Sequence, residues 1–123
     1  MKRAFLAALL LAGVTITVAQ TSTTDKATWS WTAPTSYTDG TPIPSTTTLT
    51  YNLYIGTAGK GSESPTPVQT GITGLTATTT GYAAGQAVCG TLTAVANGQE
   101  GPHSQEACKS FATIPGAPGL LVQ

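Results

Sequence analysis

His103 is the only histidine in the chain, and Ser104 and Glu106 stand beside it. A histidine base, a hydroxyl nucleophile and a carboxylate are the parts of acyl-transfer chemistry. Neighbours on a strand face opposite ways, however, so these three converge only if the backbone bends sharply. His103 follows Gly101-Pro102 near a turn, which reads as a solvated loop position. Glu100 and Glu106 could be the two carboxylates of a glycosidase, but no sugar-binding cleft is legible between them. Cys89 and Cys108 with one histidine are too few ligands for structural zinc. No catalytic residue, metal site or cofactor is therefore expected, and the chain does not read as an enzyme.

Trp29 and Trp31 are two apart, so an extended strand puts both indoles on one face. Exposed, they would form a platform for sugar rings. Buried, each would remove some 150–250 Å² from water, and core is the favoured reading. Pro34 stops the ladder because it has no N–H to donate. Asp39-Gly40 supplies a corner. Tyr37, in the loop, and Tyr54, on an outer strand face, are expected to be exposed and available for contact.

The 123 residues make one domain. Residues 1–19 resemble an export signal: Lys2-Arg3, then an apolar run to Val18 broken only by Thr15 and Thr17, then small residues ending at Ala19. An uncleaved anchor is the competing reading, but a spanning helix needs about 20 apolar residues and this run is shorter. Val14 stands where a lipidated cysteine would be. Cleavage after Ala19 leaves Lys26, Lys60 and Lys109 against Asp25, Asp39, Glu63, Glu100 and Glu106, a net charge of −2. Arg3 is the only arginine. Without arginine the mature chain lacks the usual partner of phosphate and guanine, so nucleic acid is not an expected partner. Nor is a membrane, once the signal is removed.

The elements that position these residues are all strands. Leu49, Tyr51, Leu53 and Ile55 alternate with Thr50, Asn52 and Tyr54. Val88, Leu92 and Ala94 share a face with Gly90, opposite Cys89, Thr91, Thr93 and Val95. Asn97-Gly98-Gln99-Glu100-Gly101 reads as a hairpin tip. With that tip near Gly98 and Gln99, paired positions sum to about 197, as 89 and 108 do. The cysteines then stand directly opposite on neighbouring strands and form a disulfide on the outer face of the sheet. Closing a loop of about 20 residues is worth roughly 3 kcal/mol in the chain-entropy model. No long stripe of helical period follows the signal. Seven short strand candidates divided by Gly, Pro and Asn indicate an all-β sandwich with Trp29, Trp31, Tyr51, Leu53, Leu92 and Ala94 in its core.

The chain from Ala27 to Pro115 resembles a fibronectin type III domain of the bacterial and phage type. Trp29, Trp31 and Pro34 match the second strand. Asp39-Gly40-Thr41-Pro42-Ile43 is similar to the loop that follows. Tyr51-Asn52-Leu53-Tyr54-Ile55-Gly56, Leu92-Thr93-Ala94-Val95-Ala96-Asn97 and Thr113-Ile114-Pro115 match later strands and the close. The resemblance implies a seven-stranded immunoglobulin-like sandwich over residues 20–115, with 116–123 a flexible tail. One departure stands out. The family's corner tyrosine aligns with Val88, while Tyr82 takes the place of a leucine, so the usual hydroxyl tie to backbone is lost.

Such domains in bacteria and phages act as spacers or adhesive modules, which implies an exported binding module in the periplasm, in the medium or on a surface. Arg-Gly-Asp is absent, so integrin adhesion is not carried over. The loops Thr35–Pro44 and Asn97–His103 are the expected contact elements. Tyr37, Asp39, Tyr54, Asn97, Gln99, Glu100 and His103 would meet a protein or glycan surface. The abundant threonine is read as β-branched residues on a wet sheet rather than an ice- or glycan-binding face. The apolar Leu120-Leu121-Val122 end could dock on a partner by strand addition or fold back. Docking would suit a decoration subunit of a phage particle or surface assembly.

Overall fold

The computed structural model describes residues 16–17, 21–22, 25–113, 118–119 and 122. Among the described residues all regular structure is β, in nine short strands. They are β1 (Ile16–Thr17), β2 (Thr21–Ser22), β3 (Ala27–Trp31), β4 (Leu49–Gly56), β5 (Gln69–Ile72), β6 (Thr76–Thr79), β7 (Ala87–Ala96), β8 (Gln99–Glu100) and β9 (Ala107–Phe111). One sheet has the order β1-β3-β6; the other runs β2-β9-β7-β4-β5, with β8 paired to β7. Among the described residues no helix is long and apolar enough to cross a membrane.

Nine strands stand where seven were expected, for two reasons. β1 lies in the segment expected to be an export signal and pairs antiparallel with β3, while β2, at the expected first strand, pairs parallel with β9. The returning arm of the last hairpin is divided into β8 and β9. The threonine-rich run from Ile72 to Tyr82 is also no single strand. Ile72 ends β5 in one sheet and Thr76 begins β6 in the other, with exposed Gly74 between them.

Alternation builds the core. Ala27, Trp29 and Trp31 point inward from β3, meeting Tyr51, Leu53 and Ile55 from β4 and Val88, Leu92, Ala94 and Ala96 from β7. Trp29 is fully buried and Trp31 is 5% exposed, which removes the sugar-platform reading. Trp31 lies against Tyr51 with ring centroids 5.4 Å apart. The Trp29 indole N–H donates to the Thr79 hydroxyl at 3.0 Å. The same Thr79 oxygen receives the Tyr82 hydroxyl at 2.7 Å, and the Tyr82 ring stacks on Phe111. In place of the corner tyrosine's tie to backbone, which Val88 has no hydroxyl to make, Tyr82 ties to the Thr79 side chain.

Opposite Trp29, a β-carbon on Gly90 would lie 2.9 Å from Trp29 Cζ3 and 3.1 Å from the Tyr54 carbonyl oxygen. The indole occupies the space that a side chain at 90 would need. Lys109 also points inward, because it is paired with Val88 and paired residues share a face. Its stem is buried, its ammonium donates to the Lys26 carbonyl at 2.6 Å, and it lies 5.1 Å from the Phe111 ring centre.

Cys89 and Cys108 are directly paired and form a disulfide, on the face away from Val88 and Leu92. The hairpin tip differs from the expected one. Asn97 (φ 53°) and Gly98 (φ 77°) make a two-residue turn, so Ala96 pairs with Gln99 and Val95 with Glu100. Residues 101–106 then absorb two extra positions before Gly90 pairs with Ala107. Near the tip pairs therefore sum to 195, and at the cysteines to 197.

Two outcomes are expected from this packing. Reducing the disulfide should lower the melting temperature by on the order of 10–20 °C, followed by circular dichroism with and without reductant. Gly90→Ala should destabilise by about 1–3 kcal/mol through overpacking against Trp29, read from urea unfolding midpoints.

Candidate functional site

The residues singled out for contact fall into two groups. Trp31, at the end of β3, meets Tyr51 near the start of β4, and Leu49 pairs with Ala96 at the end of β7. The loop 32–48 and the turn at Asn97-Gly98 therefore leave the same end of the sandwich. In the loop, Ser36 bridges to Pro42, Tyr37 N–H donates to the Thr41 carbonyl and Ile43 N–H to the Thr35 carbonyl. Asp39 accepts both the Thr41 N–H at 2.9 Å and the Thr41 hydroxyl at 2.7 Å, a local turn. Those bonds hold its carboxyl below the usual carboxylate range. Tyr37 is half-buried against the core rather than free, because the bridge folds the loop back over the sheets.

The second group lies on the outer face of the larger sheet. Asn52 pairs with Thr93 and Tyr54 with Thr91, so these four side chains share that face. The returning hairpin arm lays Glu100 across them. Glu100 Oε2 accepts from the Asn52 amide at 3.2 Å and from the Tyr54 and Thr93 hydroxyls. His103 follows, its Nδ1 2.8 Å from the Thr91 hydroxyl and its ring 4.5 Å from that of Tyr54. Expected to be exposed, Tyr54 is only 6% exposed, and Thr93 is fully buried. The correction has a simple cause: alternation predicts which way a side chain points, not what the chain lays over it afterwards.

Desolvation pushes the Glu100 carboxyl upward, but the Thr93, Tyr54 and Asn52 donors and the nearby His103 outweigh it, and its pKa is lowered. Burial, then Glu100, pushes the Tyr54 phenol up. A third cluster sits by the disulfide, where Glu106 accepts the Gly61 N–H at 2.7 Å. Desolvation and the hydrogen bond to Glu106 raise the Glu63 carboxyl, while the same bond lowers Glu106. Glu106 also lies within 4.8 Å of both cysteine sulfurs, which the disulfide removes as thiolate ligands.

No family model matches this sequence, and no curated protein matches it. Solved structures do. A Fn3-like protein from Clostridium thermocellum is 23% identical with a TM-score of 0.56, covering 85% of this chain and 93% of its own. The fibronectin type III domain of human KIAA0970 protein aligns at 19% identity and a TM-score of 0.63, covering 93% of this chain and 86% of that one. The sixth such domain of human fibronectin type III domain containing protein 3 gives 21% and 0.60, over 85% and 88% of the two chains. The fold is that of a fibronectin type III domain.

On this fibronectin type III fold the expected site residues are placed as follows. Asp39, Asn97 and Gln99 are exposed at one end. Tyr54, Glu100 and His103 come together on the outer sheet face with Asn52, Thr91 and Thr93, which sequence reasoning missed. The signal for them was present, since Asn52, Thr91 and Thr93 stand on faces already assigned as outward. What was lacking was the register that sets them opposite one another. His103 is not joined to Ser104 or Glu106. The Ser104 hydroxyl receives the Leu92 N–H and donates to the Gln105 carbonyl, while Glu106 turns to Gly61 and Glu63. Ile114–Ala117, Leu120 and Leu121 lie outside the described residues, as do residues 1–19 apart from Ile16–Thr17; Val122 is 95% exposed.

A carboxyl whose folded pKa is depressed contributes stability above its unfolded value, lost as pH falls through the folded one. Glu100→Gln should therefore lower the melting temperature by a few degrees near pH 7. That difference from wild type should shrink towards pH 3 in thermal melts across the range.

Proposed function

We propose that this chain is an exported, non-enzymatic binding module that uses the end of the sandwich carrying Asp39, Asn97 and Gln99 to contact a protein or glycan surface. The observation that carries the reading is that both loops at this end are held in shape by hydrogen bonds within the chain. Asp39 ties Thr41, the Ser36–Pro42 bridge closes the first loop, and Glu100 pins the hairpin to the sheet beneath it. Preformed loops lose little conformational entropy on binding, which favours a contact role for exposed polar residues. Glu100, Tyr54 and His103 act in this scheme as the support of the hairpin rather than as the contact itself. The disulfide fits an oxidising compartment outside the cytoplasm.

A second reading, a decoration subunit of a phage particle or surface assembly, draws on the apolar end of the chain. Val122 is 95% exposed, and an unpaired apolar residue there is free to add to a neighbour.

Thr35→Arg and Gln99→Arg place bulky charge on the two loops at exposed positions. Binding of the double variant to the envelope fraction or glycan array that retains the wild-type domain should fall at least about tenfold. The melting temperature should hardly move, since exposed substitutions rarely change stability by more than about 0.5 kcal/mol. Unchanged binding of this variant, with loss on removing residues 116–123, would favour the assembly reading instead.

A further inference from the structure

β1 and β2 are consecutive in the chain and join different layers. Ile16 pairs with Trp31 and Thr17 with Ser30 in one sheet. Thr21 pairs with Ser110 and Ser22 with Phe111 in the other. The Ile16 side chain is 8% exposed and belongs to the same core cluster as Trp31, Tyr51 and Phe111. Directly opposed antiparallel residues share a face, so Ile16 is the inward neighbour of the Trp31 indole on that side.

Cleavage after Ala19 would fall between these two pairings. It would leave β2 on the domain and carry β1 away. β3 would then become a bare edge with a row of unpaired backbone groups beside a tryptophan. The smaller sheet would be reduced to β3 and β6.

We propose that Ile16 and Thr17 remain in the working protein, so that any leader is removed before Ile16. The sequence accommodates this boundary. After Lys2-Arg3, Ala4 to Ala12 is nine unbroken apolar residues, within the 7–15 of a signal's apolar region. Ala12 and Gly13 are small residues after that run, but they are adjacent, and the small-x-small spacing belongs to Thr17-Val18-Ala19. Beyond Gly13, Val14-Thr15-Ile16-Thr17-Val18 alternates β-branched apolar residues with threonine, which is strand composition rather than leader composition.

The test uses the full chain, expressed from Met1 in a bacterial host, with the intact mass of the accumulated product measured. A product that retains Ile16, beginning at Gly13 or Val14 or keeping Met1, supports the assignment. A folded, protease-resistant product beginning at Gln20 overturns it. As a second measurement, Ile16→Ala in the same full chain should lower the melting temperature of the product by about 10 °C or more. An unchanged melting temperature overturns the assignment independently. Neither readout depends on what the end loops bind, and the melting temperature of the Ile16→Ala chain does not depend on where the protein is delivered.

Discussion

The seat of Trp29 on Gly90 is the contact that holds the two layers in one relation. The indole from the smaller sheet fills the space above a residue with no side chain in the middle of the longest strand of the larger sheet. Its N–H is satisfied by Thr79 on the neighbouring strand, and Tyr82 shares that oxygen. A ring of that size admits one position of β3 over β7. Once that position is taken, Trp31 must meet Tyr51, and the loop 32–48 must leave at the same end as the hairpin turn.

The hairpin shows how a polar cluster can serve structure on a surface that alternation marks as wet. Glu100 gathers Asn52, Tyr54 and Thr93, and His103 closes over Tyr54. A carboxylate with three donors is stable in its charged form even where the chain partly covers it. The arrangement holds the arm against the sheet across the irregular stretch between Glu100 and Ala107, where the ladder is broken. Below it, the disulfide restores the pairing. The exposed tip is thus carried on a return arm tied to the sheet by Glu100, by Ser104 on Leu92 and by the disulfide.

The strands were legible wherever two residues of alternation sufficed. The inward sets on β3, β4 and β7 follow from Trp29 and Trp31, from Tyr51 and Leu53, and from Leu92 and Ala94. The cysteine pairing was legible too, because it depends only on the sum of two positions. Its agreement survived an error of one residue at the tip, because the irregular stretch after Glu100 shifts the pairing by two. The burial of Tyr54 and Tyr37 was not legible. Both depend on a distant segment, the hairpin arm in one case and the bridged loop in the other, folding back over a side chain whose direction alone was known.

From sequence alone came the class of fold, the faces of the main strands, the disulfide partners and the resemblance that named the architecture. These rest on local periodicity and on spacing along one hairpin, which a linear string carries. The tertiary structure decided that Glu100, exposed like Gln99 beside it, would be engaged with the sheet, and that Ile16 would enter the core. Those outcomes depend on register between strands far apart in the chain. Register is set when large side chains such as Trp29 find the one gap that accepts them.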